Sequence, residues 1–247
     1  MNDILVVLLG FASGFLGSIG GGAGLIVLPV LLFAGIPPQI ALGSFNMGGL
    51  GYILGNFVQF SQSKNIGITK KEISILTCIA IPATVLGSYF VISISPEFLS
   101  KLIGVILLII FPLTFLNKNL GIKPDKATGL RLYVSHIAFF LIRVWAGFFS
   151  PGSGILEGYI RMKGYGYTIL QGKAVTRIPY ILAGLASVSV FALSNMIDYH
   201  LASALFIGMF LGGYIGTAYA IKKGDIWLKP ILGLVILATA IQMLFFS

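Results

Sequence analysis

Eight apolar segments follow one another along this sequence, at about 4–34, 38–60, 72–94, 98–116, 130–162, 170–193, 200–221 and 227–246. A helix needs about 20 residues to cross the hydrocarbon core of a bilayer. Six of the segments have about that length. The other two, 4–34 and 130–162, are too long for one straight crossing, and glycine interrupts each near its middle. Of the 247 residues 57% are hydrophobic and 9% charged, where a soluble domain carries roughly a quarter charged residues. A soluble fold of this size cannot hide so much apolar surface in one core. The pattern therefore predicts an all-α, polytopic membrane protein. The start Met1-Asn2-Asp3 lacks the basic stretch of a signal peptide and is read as mature sequence.

The two broken segments head two similar halves. Gly14-Phe15-Leu16 precedes Gly20-Gly21-Gly22, and Gly147-Phe148-Phe149 precedes Gly152-Ser153-Gly154. Ser44 is answered by Thr176, and Ile66-Gly67-Ile68 by Met196-Ile197-Asp198. Leu86-Gly87-Ser88 is answered by Ile215-Gly216-Thr217, and Leu102-Ile103-Gly104-Val105 by Ile231-Leu232-Gly233-Leu234. The offset drifts only from 133 (147 − 14) to 129 (231 − 102). Shared order of this kind points to an internal repeat: four apolar segments in 1–120, a linker at 121–130, and four more in 131–247.

Loop charges choose between two topologies. If all eight segments cross, Lys64, Lys70, Lys71, Lys118, Lys123, Lys126 and Arg131 fall on one side. Lys163, Lys173, Lys222, Lys223 and Lys229 then fall on the other, against the rule that loop Lys and Arg collect in the cytoplasm. If 4–34 and 130–162 instead enter, turn at the glycines and leave on the same side, all twelve share one side and only Lys101 opposes them. Each half then crosses three times and the second half is inverted, a recurrent transporter design. Both termini are expected outside. Residues 4–18 alone nearly span a thin membrane, so one crossing plus a half-helix is the competing reading of the first segment.

Broken helices expose backbone groups that hydrocarbon cannot satisfy, so such breaks face protein, a cavity or a ligand. Gly20, Gly21, Gly22 and Gly24 let the chain approach a ligand closely, and helix starts beyond the breaks attract anions. Gly152, Ser153 and Gly154 repeat the arrangement. Close helix packing is the competing use of glycine, and Gly10/Gly14, Gly51/Gly55 and Gly208/Gly212/Gly216 have its spacing. Ionisable residues in apolar segments are functional candidates. Here they are His136, Arg143, Glu157, Arg161 and Arg177. Arg143 and Arg177 suit an oxyanion, although Arg143 also suits a structural ion pair. Glu157 and Arg161, spaced i, i+4, are expected to pair with each other. His136 and Glu157 are the candidates for proton coupling, with a packing role the alternative for His136. Ser44, Asn46, Thr176, Asn56 and Gln59 are substrate contacts or interhelical hydrogen bonds.

Other functions find less support. Cys78 stands alone inside an apolar segment, so neither a disulfide nor a cysteine metal site is expected. The net charge of +9 sits in short clusters between apolar runs, which argues topology rather than nucleic acid. No Ser/His/Asp set, metal cluster or nucleotide loop in its strand–helix context is visible. An enzyme, a metal and a cofactor are not expected.

The run Gly14-Phe15-Leu16-Gly17, Gly20-Gly21-Gly22, Leu28-Pro29, Gly35-Ile36-Pro37 and Ala41-Leu42-Gly43-Ser44 resembles the sulfite exporter TauE/SafE family. Gly147-Phe148-Phe149 resembles the family's second copy of the motif, with Ser150-Pro151-Gly152-Ser153-Gly154 and the charged stretch Glu157 to Lys163 as departures. The resemblance implies a plasma (inner) membrane transporter of sulfite, sulfonates or other organosulfur anions. It leaves protons as coupling ion and a homo-oligomer as expected partners beside the anion and the bilayer. A passive anion channel on the same fold is the alternative.

Overall fold

The computed structural model describes residues 2–20, 23–61, 69–95, 125–150 and 153–223, with Phe98 and Val105 besides. They form helices α1 (Asp3–Gly20), α2 (Gly24–Phe33), α3 (Pro38–Ser61), α4 (Lys70–Ser93), α5 (Gly129–Phe148), α6 (Ser153–Tyr159), α7 (Ile169–Val175), α8 (Arg177–Leu193) and α9 (Tyr199–Lys223). A π turn, Ile160–Gly164, continues α6. No strand occurs among the described residues, and α4, α5 and the Tyr199–Tyr219 part of α9 are long and apolar enough to cross a membrane. The chain is an all-α, polytopic membrane protein. Apart from Phe98 and Val105, the segments 98–116 and 227–246 lie outside the described residues.

Local chemistry fixes where helices begin. Thr69 and Glu72 form a capping box at α4, with Glu72 Oε2 2.8 Å from the Thr69 N–H. Thr168 and Gln171 do the same at α7. Asp198 Oδ1 accepts from the N–H groups of His200 and Leu201, both at 3.0 Å, and caps α9. Gly35, at φ +78°, ends the turn after α2 in the left-handed region, where glycine carries no steric penalty.

Contact register gives the direction of every long helix. Gly10 abuts Leu205 and Met209, and Gly14 abuts Met209 and Gly213, so α1 and α9 run parallel. Ser44 meets Asp198, Gly48 meets Leu205, and Gly55 meets Phe210 and Tyr214, so α3 is parallel to α9 as well. In the same way Arg143 meets Thr84 while Gly147 meets Thr84 and Ser88, and Ser88 and Val91 lie against Ser187 and Phe191. Helices α4, α5 and α8 are therefore mutually parallel. The two sets meet where α3 packs on α8. There Gly43 lies on Phe191 and Gly184 on Leu50, an antiparallel register.

These directions decide the shape of the broken segments. Helix α1, about 27 Å long by helical rise, ends at Gly20, and α2 returns beside it over about 15 Å. Ser13 Oγ donates to the Ala23 carbonyl, and a Cβ at Gly17 would collide with Ala23, so the return leg is tight. Because α3 then runs parallel to α1, residues 4–34 enter and leave at the same end. Segment 130–162 behaves likewise. Arg131, near the start of α5, donates to the carbonyls of Lys163 and Gly164 beyond α6, at 2.7 Å and 3.1 Å. Lys70, Lys71, Lys126, Arg131, Lys163, Lys173, Lys222 and Lys223 thus gather at one end of the molecule. At the other stand Asp3, Asp198 and His200, with no Lys or Arg among the described residues.

The pairing survives exchange of the halves. Helix α1 packs on α9 as α5 packs on α4, and α3 packs on α9 as α8 packs on α4. The close approaches correspond too. Gly14 lies on Gly213 as Gly147 lies on Thr84, and Gly216 lies on Phe15 as Gly87 lies on Phe148.

Two expectations follow. In a Cys78→Ser background, single cysteines at Gly35 and Asn195 label from one face of the membrane, and those at Lys70 and Lys163 from the other. At Gly87 a methyl group would overlap the Val144 carbonyl, whereas at Gly49 it meets nothing within 4 Å. Gly87→Ala should cost about 1–3 kcal/mol and lower the melting temperature in detergent, with Gly49→Ala near wild type.

Candidate functional site

Two apolar clusters lie toward opposite ends of the bundle. One gathers Val6, Leu28, Leu42, Phe149, Phe191 and Leu205. The other gathers Leu76, Phe139, Ile142, Tyr165, Val175 and Ala183. Trp145 packs against both. In the second cluster burial raises the pKa of the Tyr165 and Tyr167 phenols above the ordinary value, and Tyr167 donates to Glu72 Oε1 at 3.2 Å.

A buried charged group lies around Trp145's neighbour Arg143. The Arg143 side chain leaves α5 and donates from Nη1 to Glu157 Oε1 at 3.0 Å and from Nη2 to Thr84 Oγ1 at 2.8 Å. Its guanidinium carbon stands 4.6 Å from the centre of the Tyr180 ring. Arg143 is 8% exposed and Glu157 2%, and the Tyr180 hydroxyl lies within electrostatic reach of Glu157. Charges so buried need such partners, since an isolated one is strongly disfavoured in a dry interior.

Arg161 completes the group. It donates from Nη1 to Thr176 Oγ1 at 3.1 Å and lies 3.4 Å from the Tyr180 hydroxyl. The Thr176 hydroxyl in turn donates a hydrogen bond to the Gly172 carbonyl at 2.8 Å. Glycine at 172 makes room, because a Cβ there would sit 3.1 Å from Arg161 Cβ. From the other side α3 brings Tyr52, within electrostatic reach of both Arg161 and Glu157. Tyr52 donates to the Gly17 carbonyl at 3.4 Å, and Lys173 reaches the Ser18 carbonyl at 3.1 Å. A cation at the last carbonyls of α1 is a favourable helix-end contact. Ser18, Asn56 and Thr217 share one further hydrogen-bonded cluster between α1, α3 and α9.

The geometry sorts the sequence candidates. Arg143, Glu157 and Thr176 come together. The expected i, i+4 pair of Glu157 with Arg161 does not form. Glu157 pairs with Arg143 instead, because α6 folds back along α5 and the π turn, closed by Tyr165 N–H to Ile160 O at 3.0 Å, carries Arg161 toward Thr176. Ser44 lies apart, its hydroxyl accepting from the Asp198 N–H at 2.9 Å near the start of α9, and Asn46 donates to its own helix at Leu42 O. Ser153 donates to Ser150 O within its turn, with Gly154 beside it in α6. Gly20 closes α1, Gly24 opens α2 and Arg177 opens α8, while Gly21, Gly22 and Gly152 lie outside the described residues. His136 stacks 5.4 Å from the Tyr165 ring, in the second cluster rather than at the charged group. Sequence reasoning missed Thr84, Tyr180, Tyr52 and the contact of Lys173. Three of these are neutral residues in apolar helices, which carry no signal without a fold.

Removing one partner of a buried ion pair leaves the other uncompensated. Arg143→Leu should cost about 3–5 kcal/mol, read as a lower melting temperature and folded yield in detergent. The double change Arg143→Leu with Glu157→Leu should recover most of that loss.

Known proteins resemble the chain over nearly its whole length. A probable membrane transporter, ORF9 of a Sinorhizobium species, is 28% identical over 237 residues, 95% of this chain and 89% of that relative. A probable membrane transporter of Haemophilus influenzae is 25% identical over 230 residues, 92% of this chain and 89% of that relative. The probable membrane transporter YfcA of Escherichia coli is 21% identical over 235 residues, 95% of this chain and 87% of that relative. The sequence model described as sulfite exporter TauE/SafE matches residues 6–243, and the chain, a membrane transporter protein by this kinship and by its apolar helices, belongs to that family.

Proposed function

We propose that the protein is a secondary transporter that moves a small anion, of the sulfite, sulfonate or other organosulfur class, across the plasma membrane. The observation that carries the reading is the group formed by the buried Arg143 and Glu157 with the half-buried Arg161. Two guanidinium groups against one carboxylate leave one positive charge, ringed by the hydroxyls of Thr84, Thr176 and Tyr180. Guanidinium and hydroxyl donors suit an oxyanion. The family's name supports the sulfur chemistry.

The topology proposed with it puts the Lys-rich end in the cytoplasm and both termini outside. The chain is a duplicated, inverted repeat of 1–120 and 131–247 joined by a linker at 121–130. The antiparallel meeting of α3 with α8 and the pairing that survives exchange of the halves support this division. Access to the charged group would then alternate between the two apolar clusters.

Purified protein in sealed liposomes tests the reading. A carrier gives saturable exchange of sulfite or methanesulfonate, stimulated by anion on the far side. Current down a gradient without exchange would make the protein a passive facilitator, and movement of neither anion would end the anion reading. Arg161→Gln removes one charged donor, worth roughly 1.5–3 kcal/mol, and should weaken apparent anion affinity by about tenfold or more. Its melting temperature should change little, because Arg161 is only half-buried.

A further inference from the structure

The charged group holds an anion of its own. Glu157 lies against Arg143 and uses its guanidinium incompletely. One carboxylate oxygen meets Nη1 at 3.0 Å, Nη2 is turned to Thr84, and Arg143 Nε is buried without a hydrogen-bond partner among the described residues. A guanidinium fork binds an oxyanion best through two parallel bonds, so the fork is occupied but not saturated. The charged and titratable groups facing Glu157 are Arg143 from α5, Tyr180 from α8, Arg161 from the π turn and Tyr52 from α3. All the cations among them are arginines, which stay charged. Glu157 is therefore the one carboxylate of the group, and the member that can take up a proton.

We propose, resting on the anion-transporter reading above, that Glu157 is a tethered stand-in for the transported anion and the carrier of a coupled proton. Ionised, its carboxylate occupies Arg143 and keeps a free oxyanion out. A proton taken from water neutralises the carboxylate and frees Arg143, which with Arg161, Thr176 and Tyr180 binds the incoming monoanion. One proton then travels with one monoanion. The charge balance favours that stoichiometry. The empty group, with Glu157 ionised, carries two positive charges and one negative. The loaded group carries two positive charges, a neutral Glu157 and one anion. Both total +1, so the buried region crosses between its states without a change in charge, whose desolvation would be large.

The test uses methanesulfonate, which stays ionised and brings no proton of its own, in liposomes with a lumenal pH dye. Wild type should acidify the lumen as methanesulfonate enters. Its apparent Km should rise on the alkaline side by about tenfold per pH unit, the slope of one linked proton. Glu157→Gln should abolish the acidification and flatten that slope, and Glu157→Asp should restore both. A merely structural role for Glu157 would lower yield without flattening the slope. Methanesulfonate entry without acidification in wild type overturns the proposal even if the Gln variant fails to fold. An unchanged slope in Glu157→Gln, or exchange of sulfite but not methanesulfonate, overturns it too, and each leaves anion transport standing. If neither anion moves, the transporter reading and this inference fall together.

Discussion

Helices in lipid gain little by turning apolar side chains toward one another, because the acyl chains are as apolar as leucine. This chain is held together by the approach of one backbone to another. Gly10, Gly14, Gly208, Gly212 and Gly216 bring α1 and α9 so close that a methyl group on any of them would strike main-chain atoms. Gly51 and Gly55 do the same between α3 and α9, and Gly87 and Gly147 between α4 and α5. Everything else is arranged on that scaffold. The tight return of α2, the fold-back of α6 and the depth of the charged group all depend on helices already fixed in register by contact.

Within such a scaffold the polar residues have little freedom to choose partners. Ser88 and Ser187 sit 2.7 Å apart across the α4–α8 contact, beside the Gly147 carbonyl. Ser18, Asn56 and Thr217 close a similar cluster on the other side. The Arg143–Glu157 pair differs from these because it is ionic and held from four directions. Apolar layers lie toward both ends of it, the setting in which a buried pair is most sensitive to the loss of either member.

The fold was legible in the sequence where it depended on length, charge and glycine. Segments 4–34 and 130–162 read as broken returns because they are too long and because the basic loops otherwise split between faces. The contact registers place them so. The paired glycines read as packing positions, and most of those within the described residues are. The site was legible only in part. Arg143 and Glu157 stand out as charges in apolar helices, but they are fourteen residues apart and meet only because the chain reverses between them. The spacing of Glu157 and Arg161 favoured the wrong partner, since regular α geometry was assumed where the helix widens into a π turn. Tyr180 and Thr84 are unremarkable in a membrane helix until the fold sets them beside an arginine. Ser44, which matched Thr176 in the comparison of the halves, is engaged with the start of α9 rather than with the charged group.

The directions of the helices divide the molecule differently from its sequence. Parallel helices α1, α3 and α9 form one block and α4, α5 and α8 the other, so each block takes two long helices from one half of the chain and one from the other. The halves are dovetailed. A cut near residue 125 would leave two fragments, neither of which contains a complete block, and each would have to find the other to bury α4 or α9. The mechanical seam runs along α3 and α8, and the connections that cross it run between α3 and α4 and between α8 and α9. The tight turn through Asn195, at φ +55°, sits in one of them.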